Sequence, residues 1–221
     1  MSSEERLKTG IRAIDSTMNG IFKGSLCTII WDATGIGEVA GFHLCTSRDM
    51  DNRTSHYISN VRRVEDVKES IETISNIKNK ADFSLDEQDH DVNIIDARDD
   101  NELRDKVTLL EDDISENDTV VIDDATEIKR LKTVNSLKRI TRKSGVITYL
   151  NVPVGEPDPS FDRDMIKKFM VSDYVLKIDT EYAGSGVNRT LQVRKARGEE
   201  DLVSYNLKSS KMLDNTDTEP V

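Results

Sequence analysis

Residues 32–39 read Asp-Ala-Thr-Gly-Ile-Gly-Glu-Val, after an apolar run and before a segment with helical periodicity. A strand-to-helix turn that cradles phosphate has the pattern G-x-x-x-x-G-K-[ST]. Its glycines let backbone N–H groups wrap the phosphates, its lysine neutralises the terminal ones, and its hydroxyl ligates Mg2+. Here Gly35 and Gly37 permit a tight turn, but Asp32 stands at the first glycine, Glu38 at the lysine and Val39 at the hydroxyl. A cation about 4 Å from a phosphate charge contributes on the order of 4 kcal/mol at an effective dielectric near 20, and a carboxylate reverses the sign. Millimolar affinity amounts to only about 4 kcal/mol. Two readings follow: a glycine-containing turn that holds no ligand, or a non-standard loop in which Asp32 or Glu38 helps Asp123 hold a metal.

Thr119-Val-Val-Ile-Asp-Asp124 places two aspartates at the end of a β-branched run. In a nucleotide enzyme Asp123 would hold Mg2+; in any α/β protein the pair can simply cap the next turn. A run of cations, Lys129, Arg130, Lys132, Lys138, Arg139, Arg142 and Lys143, reads first as a solvated helix face, then as contact with an acidic partner, and last as a DNA surface. Cys27 and Cys45 have no C-x-x-C or Cys/His spacing, and His43, His56 and His90 are scattered. They read as buried small hydrophobes and isolated histidines, so no metal site is expected.

The elements that must position these residues alternate. Strands are expected at Ser25 to Ile30, Ser55 to Ser59, Val92 to Asp96, Thr119 to Asp123 and Val146 to Val152. Helices are expected from about Glu38 to Arg48, Val64 to Lys78, behind Asp99 and Glu102 as a capping box with Leu103, Val107, Leu110 and Ile114 on one face, and from Glu127 to Lys143. Such alternation makes a largely parallel sheet covered on both faces. Pro153, Gly155, Pro157 and Pro159 then read as a stiff loop, followed by a short helix with Phe161, Met165 and Phe169 on one side. Tyr174 to Asp179, Thr190 to Lys195 and Leu202 to Leu207 read as an antiparallel extension. One domain over residues 1–208 is expected, with an acidic flexible tail at 209–221.

At 221 residues, with 33% charged residues and a formal net charge of -11, the chain is expected to be soluble and acidic. That charge argues against nucleic acid and anionic membrane as partners. No apolar run approaches the ~20 residues that span a bilayer, and no leader is evident, so a cytoplasmic location is expected. The acidity fits a salt-adapted source.

Leu7-Lys-Thr-Gly-Ile-Arg-Ala-Ile-Asp15, then Asn19-Gly-Ile-Phe-Lys-Gly-Ser25, resembles the opening of KaiC-like and RadA-like members of the RecA superfamily. There a TG-x-x-x-LD segment precedes a GG-x-x-x-GS turn into the phosphate-loop strand. Lys195-Ala-Arg-Gly198 resembles the family's K-x-RG signature. The resemblance implies an α/β, RecA-like P-loop NTPase fold, a mostly parallel central sheet between helices. It also implies that Lys195 and Arg197 act in trans, reaching a nucleotide held by a neighbouring subunit; exposed cations pairing with Glu199, Glu200 and Asp201 are the plainer reading.

The family's catalytic glutamate belongs to a Y-x-S-x-E stretch. This chain has Tyr57-Ile-Ser-Asn-Val61, which puts Val61 or Asn60 in its place. With lysine, hydroxyl and glutamate all gone, the expectation is a KaiC-like pseudo-ATPase with no catalytic residues and no required cofactor. It would serve as a regulatory or assembly subunit for a protein partner, in a homo- or hetero-oligomer of KaiC-like subunits, plausibly in a halophilic archaeon. The alternatives are a KaiC-like ATPase binding ATP and Mg2+ through a non-standard phosphate loop, and a DNA-recombination accessory protein. Gly35, Gly37, Glu38, Val39 and Asp123 make up the degenerate nucleotide site in either of the first two readings.

Overall fold

The computed structural model describes residues 5–9, 14–15, 18–32, 41–42, 44–45, 54–80, 92–154, 169–183, 186–197 and 204–207. In chain order its strands are β1 (Arg6–Leu7), β2 (Ile21–Phe22), β3 (Leu26–Asp32), β4 (Ser55–Ser59), β5 (Val92–Asp96), β6 (Thr119–Ile122), β7 (Ile147–Val154), β8 (Tyr174–Ala183), β9 (Gly186–Lys195) and β10 (Ser204–Leu207). Its helices are α1 (Val64–Lys80), α2 (Asp100–Asp113) and α3 (Leu131–Ser144), and a 3-10 turn spans Ala125–Glu127. Residues 41–42 and 44–45 are also helical.

An eight-stranded sheet runs in the order β10-β9-β8-β3-β7-β6-β4-β5. From β8 to β5 all pairs are parallel, and β8, β9 and β10 pair antiparallel. This is the expected parallel sheet with an antiparallel extension. β1 and β2 form a separate antiparallel pair.

Strand alternation sends side chains to two cores. Cys27, Ile29, Trp31, Tyr57, Val121 and Tyr149 face one core with Phe42, Leu44, Val67 and Ile71 from the helical segments. Leu26, Ile58, Val120, Ile122, Leu150 and Val152 face the other, against the apolar stripes of α2 and α3. Those stripes are Leu103, Val107 and Leu110 on α2, and Val134, Leu137 and Ile140 on α3, the i, i+3/i+4 spacing of a helix that buries one side.

β8 and β9 run longer than expected, to Ala183 and from Gly186, and three further differences bear on capping and packing. The helix expected from Glu127 starts at Leu131, because Asp124 caps the 3-10 turn instead and Arg130 is extended. Lys129 and Arg130 therefore precede the helix. Ile114 is not helical but closes α2, its N–H donating to Leu110 O at 2.9 Å while its side chain packs on the second core. Pro153 lies within β7, opposite Trp31. Thr148 N donates to β3 at Ser25 O, so alternate residues of β7 turn their N–H toward β3 and the intervening ones, Pro153 among them, toward β6. β6 has already ended opposite Leu150, so the proline removes no ladder hydrogen bond. Gly155, Pro157, Pro159, Phe161, Met165, most of the 38–48 helix and the 209–221 tail lie outside the described residues; Phe169 is buried.

The opening segment has a structural role. Asp15 Oδ1 accepts from Thr9 N at 2.8 Å and Thr9 Oγ1 at 3.0 Å, which explains the spacing of that pair. At Gly20, φ is +90 and an added Cβ would sit 2.3 Å from Leu7 O; at Gly145, φ is +75 and the nearest atom is Glu116 Cβ at 3.3 Å. Gly20→Ala should cost about 1–3 kcal/mol or more, since backbone cannot yield, and clearly exceed the roughly 1 kcal/mol of Gly145→Ala. Urea unfolding of the two variants measures this, and equal losses would contradict it.

Candidate functional site

Asp123 directly follows β6, whose parallel partners are β4 and β7. Its N–H completes the sheet by donating to Ile58 O at 3.0 Å, which turns the carboxylate to the same side as Tyr57 and Ser59. The side chain is only 2% exposed. A bare carboxylate in such a place would be costly, and the chain surrounds it with donors. Arg62, in the turn after β4, sets Nε 3.0 Å from Oδ2 and Nη2 against Oδ1, a two-pronged pair. Tyr57 Oη donates to Oδ1 at 2.5 Å and accepts from Arg62 Nη2 at 2.6 Å. Ser59 Oγ lies 3.3 Å from Oδ2 and 2.9 Å from Arg62 O. Burial, then the Asp123 charge, pushes the Tyr57 phenol far above its ordinary pKa, so it stays a donor.

The aromatic side of this cluster is built as carefully. Phe42 stacks on Tyr57 with centroids 5.2 Å apart and an interplanar angle of 21°. The Arg62 guanidinium carbon lies 4.7 Å from the Phe42 centroid, a cation–π contact. Arg62 thus joins Phe42 to β4 and β6. In β7, Asn151 is fully buried, and its amide has no hydrogen-bond partner among the described residues; its Nδ2 lies 2.4 Å from where a Cβ on Gly41 would sit. A larger residue at 41 would force the Asn151 amide to move.

Asp124 does the plainer of the two jobs open to the strand-end acids. Its Oδ1 accepts from Thr126 N at 2.8 Å and Thr126 Oγ1 at 2.6 Å, capping the 3-10 turn. Burial raises its pKa, and the Thr126 donors offset part of the rise. Asn60 is held to Asp124, accepting from its N–H at 2.9 Å and donating to its carbonyl. Val61 is 48% exposed. Neither position supplies a general base.

Gly35, Gly37, Glu38 and Val39 lie outside the described residues, as does the Asp32 side chain. Among the described residues, Asp123 offers Mg2+ no open carboxylate. Both Asp123 oxygens are engaged by donors of the chain, and among the described residues no group of three or more His, Cys, Asp or Glu is arranged to hold a metal. Arg62 is the functional residue that sequence reasoning missed. Arg62 and Arg63 stand together just beyond β4, and nothing in that pair marks which of them reaches Asp123.

Lys195 and Arg197 are not near Asp123. β9 is four strand spacings from β6, on the order of 19 Å at about 4.8 Å each. Lys195 Nζ donates to Met170 O at 2.8 Å and Ser172 O at 2.6 Å; burial and the neighbouring Lys138 lower its pKa, which Asp173 partly opposes. Arg197 lies 5.6 Å from the Phe22 centroid, with Arg6 at 4.1 Å from the same ring. The basic run is largely internally matched. Lys129 pairs with Glu127, Arg130 with Asp100, Arg139 and Lys143 with Glu111, and Lys138 and Arg142 with Asp173. The exposed pair Lys129–Glu127 stabilises little, and together the pairs leave a weaker positive surface than the residue count implies.

Among solved structures the chain is similar to the KaiC-like protein PH0186 from the hyperthermophilic archaeon Pyrococcus horikoshii OT3. The TM-score is 0.65 at 15% sequence identity, over 91% of this chain and 94% of that one. Likeness at that identity is one of fold: this molecule has the α/β fold of that KaiC-like protein. By sequence, the chain belongs to the family described as "Family of unknown function (DUF7125)", matched over residues 6–216. No curated protein matches it. Among the described residues no helix is long and apolar enough to cross a membrane.

Asp173 offers a test of the site's other pole. Burial alone would raise its pKa, but the Leu26 N–H at 3.1 Å, Lys138 and Arg142 together hold it below the ordinary value. A folded-state pKa below the unfolded one stabilises fully above about pH 4 and loses that contribution as pH falls through the folded value. Asp173→Asn should therefore flatten the acid limb of stability below about pH 4, read as denaturant midpoint against pH. An acid limb as steep as the parent's would contradict it.

Proposed function

We propose that this protein is a catalytically inactive KaiC-like, RecA-superfamily subunit that regulates or assembles its partners through protein contacts. The observation that carries the reading is the sealed state of Asp123: its carboxylate is fully engaged by Arg62, Tyr57 and Ser59. The replacements Glu38, Val39 and Val61 at the lysine, hydroxyl and glutamate positions point the same way. Charge balance adds a physical reason. Mg2+ beside one carboxylate leaves a net positive charge for phosphates, whereas guanidinium beside one carboxylate leaves none. Glu38 then adds repulsion on the order of 4 kcal/mol per phosphate charge at about 4 Å.

The partner in this reading is a KaiC-like neighbour in a homo- or hetero-oligomer. Lys195 and Arg197, too far from Asp123 to serve this chain's own site, would act on the neighbour's nucleotide, as trans-acting arginines do. For Lys195 this means leaving the Met170 and Ser172 carbonyls at the interface. The net charge of -11 fits a salt-adapted, cytoplasmic archaeal setting.

Calorimetric titration with Mg2+ and ATP at high salt should give no sub-millimolar binding; a sub-millimolar dissociation constant would overturn the reading. Mixing with an active KaiC-like relative should raise that relative's ATPase rate, and Lys195→Ala with Arg197→Ala should remove the gain.

A further inference from the structure

We propose that the Arg62 guanidinium is a resident cation standing in for a divalent metal, and that a weak divalent-cation site at Asp123 is masked by it. The inference rests on the reading of an inactive subunit and deepens it by naming what took the metal's place. In a phosphate-loop enzyme the metal joins two parts, the hydroxyl residue of the loop and the strand-end aspartate. Arg62 joins Asp123 to Phe42, which follows that loop in sequence. It grips Asp123 with Nε at 3.0 Å and Nη2 against the other oxygen, and it lies 4.7 Å from the ring of Phe42, three residues beyond Val39.

The surrounding groups are those of a cation site. Tyr57 Oη and Ser59 Oγ both lie beside the carboxylate, within 2.5 Å and 3.3 Å of its oxygens, and hydroxyl, carboxylate and water are the ligand types that Mg2+ and Mn2+ accept. What differs is the occupant. A guanidinium satisfies the two carboxylate oxygens without waters or phosphate and cannot be exchanged or chelated away.

The test replaces Arg62 by methionine, which keeps an unbranched stem against Phe42 but removes the charge, and by alanine. Mn2+ is titrated into each protein at millimolar concentration, with paramagnetic broadening of the backbone amide signals of Ser59, Asp123 and Asp124 as the readout. Mg2+ is added in parallel during thermal unfolding. The parent should show no local broadening and no Mg2+-dependent change in Tm. Arg62→Met should show broadening confined to these amides and a Tm raised by Mg2+, and a second substitution, Asp123→Asn, should abolish both.

Local broadening in the parent equal to that in the variant would overturn the proposal. So would a folded Arg62→Met or Arg62→Ala that shows none, or variants that fail to fold and are not rescued by Mg2+ well above about 1 mM, the weak end of divalent-cation sites. Failure here leaves the inactive-subunit reading intact, because that reading is decided by ATP titration of the parent protein.

Discussion

A carboxylate with almost no access to water must find its counter-charge inside the protein, and Asp123 finds it in Arg62. Much of the local architecture follows from that requirement. β4 delivers Tyr57 and Ser59 to one side of the carboxylate, the turn after β4 brings Arg62 back over them, and Phe42 lies beneath the guanidinium. Remove the arginine and a buried charge is left uncompensated, a defect usually worth about 3–5 kcal/mol. The pair is therefore a constraint on the fold, whatever its value relative to an apolar substitute.

The region where β3 and β8 begin is organised differently. Asp173 accepts from Leu26 N and from Lys138 and Arg142, while Lys138 and Lys195 together hold the Met170, Val171 and Ser172 carbonyls. Ammonium groups on a row of carbonyls stabilise a chain reversal much as cations stabilise a helix C-terminus. Lys195, which the proposed function would place against a neighbour's nucleotide, is a fastener of the 169–173 turn, so in that reading docking and turn geometry would be coupled through one ammonium.

The layout of the sheet was legible because strand and helix periodicities differ, and the apolar runs at 55–59 and 92–96 coincide with β4 and β5. The opening motif was legible as a resemblance, and the structure gives its cause in the Thr9–Asp15 hydrogen bonds. Asp123 was singled out for its place after four β-branched residues. Its partner was not, because Arg62 is 61 positions away in sequence and nothing in a linear pattern marks a contact between neighbouring parallel strands. Pro153 was misread for a related reason. Whether proline ends a strand depends on which neighbour its missing N–H faces, and that requires knowing where β6 stops.

The central claim, that Asp123 is satisfied by Arg62 and not by a metal, is tested most directly by a double-mutant cycle. Arg62→Ala, Asp123→Asn and the double variant would be compared by denaturant unfolding in excess EDTA. The account predicts that the double variant loses less stability than the sum of the singles, by about 2 kcal/mol or more, with no contribution from metal. Additivity within about 0.5 kcal/mol, or a parent protein destabilised by the chelator, would contradict it.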